Sequence, residues 1–250
     1  MTYAQELGWT RSSSEWLPGL KSDQAAVASG RGLKFDYYSF PRGAFCYATS
    51  CYLEGNIKGS AKAARLVVDA TLEYFYGDWR KRLPAPSGKA DPEEWRKCCL
   101  WHEVVVESLP WACALRDWKA VKRIAVYPID DSFPEAARVR GETAWTRALI
   151  CFLRGEPRVN VESFLAKAEQ HKSQRPKFLA PVLRALLDED GVAFEKTLLA
   201  YLEHYRKRDF KLVLDKMVTL DGTTLYHVGR KHGLKVNLPA GVADHVIRLK

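Results

Sequence analysis

The chain has 250 residues, of which 47% are hydrophobic and 28% charged, with a formal net charge of +9. This composition predicts a globular protein with a sizeable core, and no apolar run approaches the roughly 20 residues that cross a bilayer. The first sixteen residues lack the basic-then-apolar order of a signal peptide, which predicts a cytoplasmic protein with reduced cysteines. The positive charge favours an anionic partner, whether nucleic acid, anionic lipid or acidic protein, without choosing among them.

The first forty residues are predicted to be the least regular part of the chain. A Pro-Gly pair at 18–19 and glycines at 30 and 32 interrupt them and leave room for a short helix at 23–29. The aromatic-rich run 33–40 is predicted to form a short strand or an extended strip. Pro41 is then placed to open the first long helix.

Helical spacing of apolar residues dominates after this point. Prolines are predicted to bound several helices, since Pro110 should end one and Pro128 the next. Asn160 is predicted to cap a later helix, with Val159 and Phe164 forming a hydrophobic staple around its start. Helices are expected at 44–53, 60–82, 91–109, 111–127, 132–155, from 160 onward, 176–187 and 194–208.

These elements predict an all-α fold, an irregular multi-helix bundle or solenoid of about ten helices. No fixed repeat period emerges, which argues against a regular repeat array. We expect one all-helical domain over 1–250, with 1–88 and 89–250 as the alternative division into two halves.

No catalytic, cofactor or metal site is predicted. The adjacent Cys98 and Cys99 would point about 100° apart on a helix and chelate one ion poorly. His102-Glu103 begins like a zinc motif, but position 106 is valine where that motif needs a second histidine. Glu103 and Glu107 share a helix face, where solvated carboxylates are more common than an acid–base pair. The six cysteines show no framework spacing and are expected to be structural thiols.

The C-terminal stretch predicts a capped helix, a glycine stop, an extended strip and a final helix. Asp221 is placed to cap the first of these helices, with Leu220 and Leu225 as its staple. Gly233 should end that helix in the left-handed conformation, and Pro239 should open the last one.

These C-terminal residues resemble the immunity protein 49 family, bacterial proteins encoded beside polymorphic toxins. The family pattern has a helix opened by a small or acidic residue, an "rGL.V" turn and an "lP" step into a last helix. The matching positions are Asp221, residues 230–236 with two residues inserted, and Leu238-Pro239. Residues 112–118, Ala-Cys-Ala-Leu-Arg-Asp-Trp, are similar to the family's mid-chain "aL..gdW" helix. The resemblance implies a non-enzymatic protein that neutralises a cognate toxin domain by occluding its active site or substrate channel.

Basic clusters are the candidate partner-binding residues. Cations at helix C-termini are favourable by about 0.3–1 kcal/mol, so local stabilisation explains part of the first cluster. If the clusters converge, they form a patch suited to an acidic surface, with Tyr205, Phe210 and Tyr226 as aromatic anchors. The alternative is scattered solubilising charge. The first cluster is His204, Arg206, Lys207, Arg208 and Lys211, the second is Arg230, Lys231, His232 and Lys235, and a third stretch contains Lys167, Lys172, Arg175 and Lys177.

The positive charge also bears on the kind of partner. It argues against a basic nuclease and fits a toxin domain with an acidic or mixed surface. The alternative function is a basic helical nucleic-acid-binding or scaffold protein, although the lysines and arginines are dispersed and no nucleic-acid-binding motif is present. An enzyme with an unrecognised helical active site ranks third.

Overall fold

The computed structural model describes residues 12–29, 34–78, 101–126, 141–207 and 218–249. Within these ranges the protein is all-α, which confirms the predicted fold class, and none of the described helices has the length and apolarity needed to cross a membrane. The described residues form eleven helices: α1 Ser13–Ala28, α2 Lys34–Leu53, α3 Ile57–Tyr76, α4 Trp101–Ala114, α5 Trp118–Val126, α6 Gly141–Arg154, α7 Arg158–Glu169, α8 Gln174–Leu187, α9 Gly191–Lys207, α10 Leu220–Lys231 and α11 Ala240–Ala243.

Consecutive helices pack on one another along most of the chain. Helices α1, α2 and α3 form one such series, and α5 to α9 form another. Helix α4 contacts both series, and α10 packs against α4, α8 and α9. The return of α10 makes the arrangement an irregular bundle rather than an open solenoid.

Helix α3 illustrates how the apolar spacing becomes a helix. Its buried side chains recur at three- and four-residue steps, including Ala64, Val67, Val68 and Thr71. At its start, the Gly59 backbone N–H donates to Asn56 Oδ1 at 2.9 Å, so one otherwise unpaired amide is satisfied. This is the helix predicted at 60–82, observed with different ends.

The N-terminal predictions were wrong in two respects. Helix α1 is longer than the expected 23–29, and the Ser12 backbone N–H donates to the Glu15 carboxylate at 2.5 Å at its start. The run expected to be an extended strip, 33–40, lies in α2 from residue 34 onward, with Pro41 inside the helix. Phe40, Ala44 and Ala48 are buried at four-residue steps, so packing on α1 and α3 outweighs the bond that Pro41 cannot donate.

Pro110 does not end a helix either, because it lies within α4. The break falls at 115–117 instead and divides the expected helix 111–127 between α4 and α5. Arg116 adopts a left-handed backbone with φ of 58°, and Asp117 Oδ1 accepts from the Ala120 N–H at 3.0 Å. That hydrogen bond caps α5, and it also lowers the pKa of the Asp117 carboxyl.

The expected cap at Asn160 is also wrong. Helix α7 begins at Arg158, after Pro157 at the cap position, so Asn160 lies inside it. Val159 is 72% exposed and therefore forms no hydrophobic staple.

Helix α10 is enclosed by the rest of the protein. Nine consecutive residues, 221–229, are buried, so this helix has no solvent face over most of its length. It lies close to α9 because it has glycines where the two helices meet. A Cβ atom at Gly222 would lie 2.8 Å from Leu202 Cδ2, and one at Gly229 would lie 2.3 Å from the Phe194 ring.

Thr219 caps α10, which corrects the prediction for Asp221. The Gly222 backbone N–H donates to Thr219 Oγ1 at 3.1 Å. Asp221 is instead buried in an ion pair, in which two nitrogens of Arg175 each lie 2.7 Å from its Oδ2. Its Oδ1 accepts from Trp145 Nε1 at 3.0 Å. One carboxylate thus joins α6, α8 and α10.

The C-terminal segment lies against α10 and is fixed by hydrogen bonds to its side chains. The Ile247 N–H donates to Thr223 Oγ1 at 3.0 Å, and the Ile247 carbonyl accepts from His227 Nε2 at 2.8 Å. The Val246 carbonyl accepts from the Tyr52 hydroxyl at 3.0 Å, which connects this segment to α2. Two predictions for this region are confirmed: the chain leaves α10 at a left-handed Gly233 with φ of 81°, and α11 follows Pro239.

The close approach of α9 and α10 predicts that Gly229→Ala destabilises the protein. The added methyl group would overlap the fully buried Phe194 ring, and overpacking of this kind costs about 1–3 kcal/mol, against a helix-propensity gain of at most about 1 kcal/mol. Urea unfolding followed by far-UV circular dichroism measures the change. Gly191→Ala is the matched control, because its Cβ would meet only Leu234 Cδ2, at 3.9 Å. A Gly229→Ala protein as stable as the wild type would contradict the packing argument.

The buried ion pair makes a second prediction. Asp221→Ala removes the carboxylate that Arg175 and Trp145 share, and we expect the free energy of unfolding to fall by roughly 3 kcal/mol. Glu203→Ala, which breaks the exposed pair with Arg206, should cost only about 0–1 kcal/mol. Equal losses in the two variants, measured by urea unfolding, would show that Asp221 has no special role.

Candidate partner-binding cleft

A two-lobed cleft opens where the α4–α5 turn, the C-terminal end of α6 and the C-terminal end of α10 meet. Its larger lobe has a volume of about 320 Å³ and its smaller lobe about 160 Å³. Trp118 and Lys231 line both lobes and therefore stand between them. We call this feature the basic cleft, and the lysines and arginines in its walls are Arg116, Lys122, Arg154, Arg230 and Lys231.

The contact between Trp118 and Lys231 follows from where each helix begins and ends. Trp118 is the first residue of α5, directly after its capping aspartate, and Lys231 is the last residue of α10. Lys231 Nζ lies 4.7 Å from the centroid of the Trp118 ring, within cation–π range. A lysine in the last turn is also favourable for the helix dipole, so its position satisfies two local preferences.

The smaller lobe is lined by the arginines Arg116 and Arg230. Arg230 donates to the Tyr226 hydroxyl at 3.2 Å. Among the described residues, no carboxylate forms an ion pair with Arg116, Arg230 or Lys231. Unpaired cations around a concave surface attract an anion, because field lines concentrate in a cleft with low-dielectric walls.

His227 forms the floor of the smaller lobe. Because the Ile247 carbonyl only accepts hydrogen bonds, the imidazole Nε2 must carry the proton in the contact between them. Burial lowers the pKa of His227, and the nearby charges of Arg116, Arg230 and Arg248 lower it further, although the bond to Ile247 opposes the shift. The neutral ring is therefore the favoured form at the base of this lobe.

The larger lobe combines cations with an aromatic wall. The rings of Phe152 and His232 lie 5.5 Å apart between centroids. Arg154 is fixed in place, since its Nε donates to the Ala125 carbonyl at 2.5 Å and it also pairs with Glu156 at 3.2 Å. Lys122 lies in the same wall with no such partner among the described residues.

Two stretches that lie far apart in the sequence, 112–118 and 230–236, meet at the basic cleft. The stretch 112–118 supplies Arg116 and Trp118, and the stretch 230–236 supplies Arg230, Lys231 and His232. Stretches more than a hundred residues apart in sequence are thus joined by the contact of Lys231 with Trp118.

The second predicted basic cluster therefore lies largely at the cleft. Arg230, Lys231 and His232 line it, whereas Lys235 is exposed in the extended strip that follows and is not part of its walls. Lys122 and Arg154 were missed by sequence reasoning, because an isolated cation on a helix carries no signal of what lies opposite it.

The first predicted cluster lies elsewhere. The His204 ring stacks on Phe178 with centroids 4.0 Å apart, Arg206 pairs with Glu203, and Lys207 is exposed at the end of α9. Arg208 and Lys211 lie outside the described residues. Two of the expected aromatic anchors, Tyr205 and Tyr226, are buried in the core and cannot contact a partner, and the third, at position 210, is outside the described residues.

The described residues of the first two clusters do not converge, because α9 and α10 run in opposite directions. The Tyr201 hydroxyl bonds to Thr219 Oγ1 at one end of the pair, and Phe194 meets Gly229 at the other. Residues 204–207 are thus near the start of α10, whereas residues 230–232 are at its end, about 16 Å away. Arg175, from the third basic stretch, is also at the start of α10, where Asp221 neutralises it.

The other candidate groups that the structure describes are buried or lie near a partner within the chain. Cys46, Cys51, Cys113 and Cys151 are buried free thiols, as predicted for them, and Cys98 and Cys99 lie outside the described residues. In the described ranges, no group of three His, Cys, Asp or Glu side chains could hold a metal ion. The Glu107 carboxylate lies 3.9 Å from Arg42 Nε, and the side chains at 102 and 103 are outside the description.

Comparison of the chain with protein-family models, curated proteins and solved structures finds no match.

The environment of His227 predicts how stability depends on pH. Its pKa is lowered in the folded protein, so the unfolded chain takes up the proton first as the pH falls. The contribution of His227 to the free energy of unfolding is present in full above about pH 6.5. It is lost as the pH falls below that value, with a slope of at most about 1.4 kcal/mol per pH unit. Urea unfolding between pH 7.5 and 5.5 measures this loss.

His227→Gln tests the assignment, because an amide N–H can donate to the Ile247 carbonyl but does not titrate. Its stability should vary less with pH in this window than that of the wild type. His232→Gln is the comparison variant, because it removes a histidine whose ring is exposed. Identical pH curves for the wild type and His227→Gln would refute the assignment.

Proposed function

We propose that this protein is an immunity protein, a cytoplasmic binding protein that neutralises a cognate toxin domain and catalyses no reaction itself. The basic cleft is the part of its surface that engages the toxin. The resemblance to the immunity protein 49 family implies this function. The observation that supports it is that the two resembling stretches meet in space. Each stretch contributes exposed cations or aromatic rings to one cleft, and the two are joined by the Trp118–Lys231 contact.

The geometry of the cleft supports a binding role. Arg230 and Lys231 lie at the end of a helix buried over nine residues, and Arg116 lies in the turn fixed by the Asp117 cap. Little conformational entropy is then lost when a partner binds, which is what preorganisation contributes to affinity. An immunity protein must hold its toxin tightly, so a rigid contact surface suits that role.

The charge of the cleft supports a partner with carboxylates on its surface. Of the five lysines and arginines in its walls, only Arg154 pairs with a described carboxylate. Acidic side chains from the toxin would supply the missing partners, and complementary charge of this kind speeds association and excludes wrong partners. A toxin domain with an acidic or mixed surface fits this cleft better than a basic nuclease.

The proposal implies that a gene next to that of this protein encodes a toxin domain, and the test uses that domain. We expect the two purified proteins to bind in isothermal titration calorimetry, and we expect co-expression to restore growth to cells that produce the toxin. Absence of both binding and protection would end the proposal. Duplex DNA serves as a second probe, and binding to DNA that weakens steeply with salt, without binding to the toxin, would favour the nucleic-acid-binding alternative.

Lys231→Glu tests whether the cleft makes the contact. Reversing this charge should weaken toxin binding at least about tenfold, which corresponds to about 1.4 kcal/mol. Lys207→Glu is the matched control, because Lys207 is likewise the last residue of its helix and belongs to the other basic cluster. Both variants lose the same favourable interaction with a helix dipole, so a difference in affinity reports the location of the interface. Stronger weakening by Lys207→Glu would move the interface to the far end of α9.

A further inference from the structure

Two valines on one end of the protein are exposed without any local benefit. Val159 is 72% exposed and Val192 is 81% exposed, the two largest values among the exposed large hydrophobic residues of the described ranges. Each is the second residue of its helix, α7 or α9. A β-branched side chain there gains little from burial, has lower helix propensity than alanine, and occupies a first turn in which an acidic residue would be favoured.

Two contacts place both valines on the same end of the bundle as the basic cleft. Arg158, next to Val159, pairs with Asp188 at 2.5 Å, and Asp188 lies four residues before Val192, in the turn between α8 and α9. Gly155 lines the larger lobe of the cleft and lies four residues before Val159.

The region around Val192 also lies near the cleft, next to the segment that follows α10. A Cβ atom at Gly191, the neighbour of Val192, would lie 3.9 Å from Leu234 Cδ2. Leu234 follows His232, which lines the larger lobe, by two residues. The starts of α7 and α9 thus border the region where α6 and α10 end.

The size of the cleft indicates that binding extends beyond it. A stable protein interface covers about 800 Å² on each partner, more than two small lobes can provide. A typical interface also has an apolar area beside its charged groups. Val159 and Val192, on either side of the Arg158–Asp188 ion pair, supply such an area. Nucleic acid presents phosphates at its surface and would gain little from these valines.

We infer that the partner-binding surface runs from the basic cleft across Val159 and Val192. It fits a protein that places a carboxylate in the cleft and apolar side chains over the two valines. This inference rests on the proposed function and assigns it an interaction surface, which we call the cleft–valine surface.

The double variant Val159→Asp/Val192→Asp tests this surface. Neither α7 nor α9 has an acidic residue in its first turn, so an aspartate there interacts favourably with the helix dipole, although Asp190 already caps α9 and limits the gain at position 192. The thermal unfolding midpoint should therefore stay unchanged or rise. Binding to the neighbouring toxin domain, measured by isothermal titration calorimetry, should weaken at least tenfold, because an apolar contact is lost and charge of the partner's own sign is added.

Ala200→Asp is the matched control. Ala200 is exposed on the same helix, two turns beyond Val192, and aspartate in a helix interior is locally less favourable than alanine. This variant should lower the unfolding midpoint slightly and bind the toxin within twofold of the wild type. A merely structural role for the valines would lower the unfolding midpoint of the double variant and leave its binding to the toxin unchanged.

The outcomes separate the two proposals. If the wild type binds the toxin and the double variant binds equally well, the cleft–valine surface is wrong while the proposed function stands. If the wild type does not bind the toxin, the proposed function fails and this inference fails with it. Tenfold weaker binding by the double variant, with an undiminished unfolding midpoint and normal binding by Ala200→Asp, supports both.

Discussion

The burial of α10 is the constraint on which the rest of the structure depends. A helix enclosed over residues 221–229 brings polar side chains into the core, and each unpaired one would cost about 1–3 kcal/mol. Asp221 is satisfied by Arg175 and Trp145, which come from two other helices. His227 and Thr223 are satisfied by the C-terminal segment, which Tyr52 in turn joins to α2. The hydrogen bonds and the ion pair that satisfy the polar side chains of α10 therefore fix the relative positions of elements from both ends of the chain.

The same constraint determines the character of the basic cleft. The enclosed part of α10 ends at residue 229, and the next two residues reach the surface with their positive charges. Their backbone cannot shift without disturbing the buried turns before it. Across from them, the left-handed Arg116 and the Asp117 cap hold the start of α5 and thus the position of Trp118. The conformational entropy of the backbone that carries these cations is lost during folding, so it is not lost again on binding.

Patterns that depend on near neighbours in the sequence predicted the structure well. The apolar spacing of α3 and the glycine stop at 233 were both read correctly, because a few adjacent residues decide them. The errors occurred where distant residues decide. Pro41 and Pro110 lie inside helices, since burial against neighbouring helices compensates for the missing backbone bond. Asp221 has the composition of a cap, but its partners are 46 and 76 residues away, and no local pattern indicates them.

The cleft was only partly predictable for a related reason. A sequence groups cations that are adjacent in the chain, whereas the antiparallel packing of α9 and α10 sends two similar clusters to opposite ends. Both clusters follow a helix C-terminus, so the helix dipole stabilises each of them and cannot distinguish a binding site from local stabilisation. The two clusters differ in the part of the protein that each one faces. Lys231 faces the Trp118 ring within a cleft bordered by exposed valines, whereas His204 is stacked on Phe178 and Arg206 is paired with Glu203. Charges already satisfied within the chain have little to offer a partner, and for this reason we propose the end of α10 as the binding site.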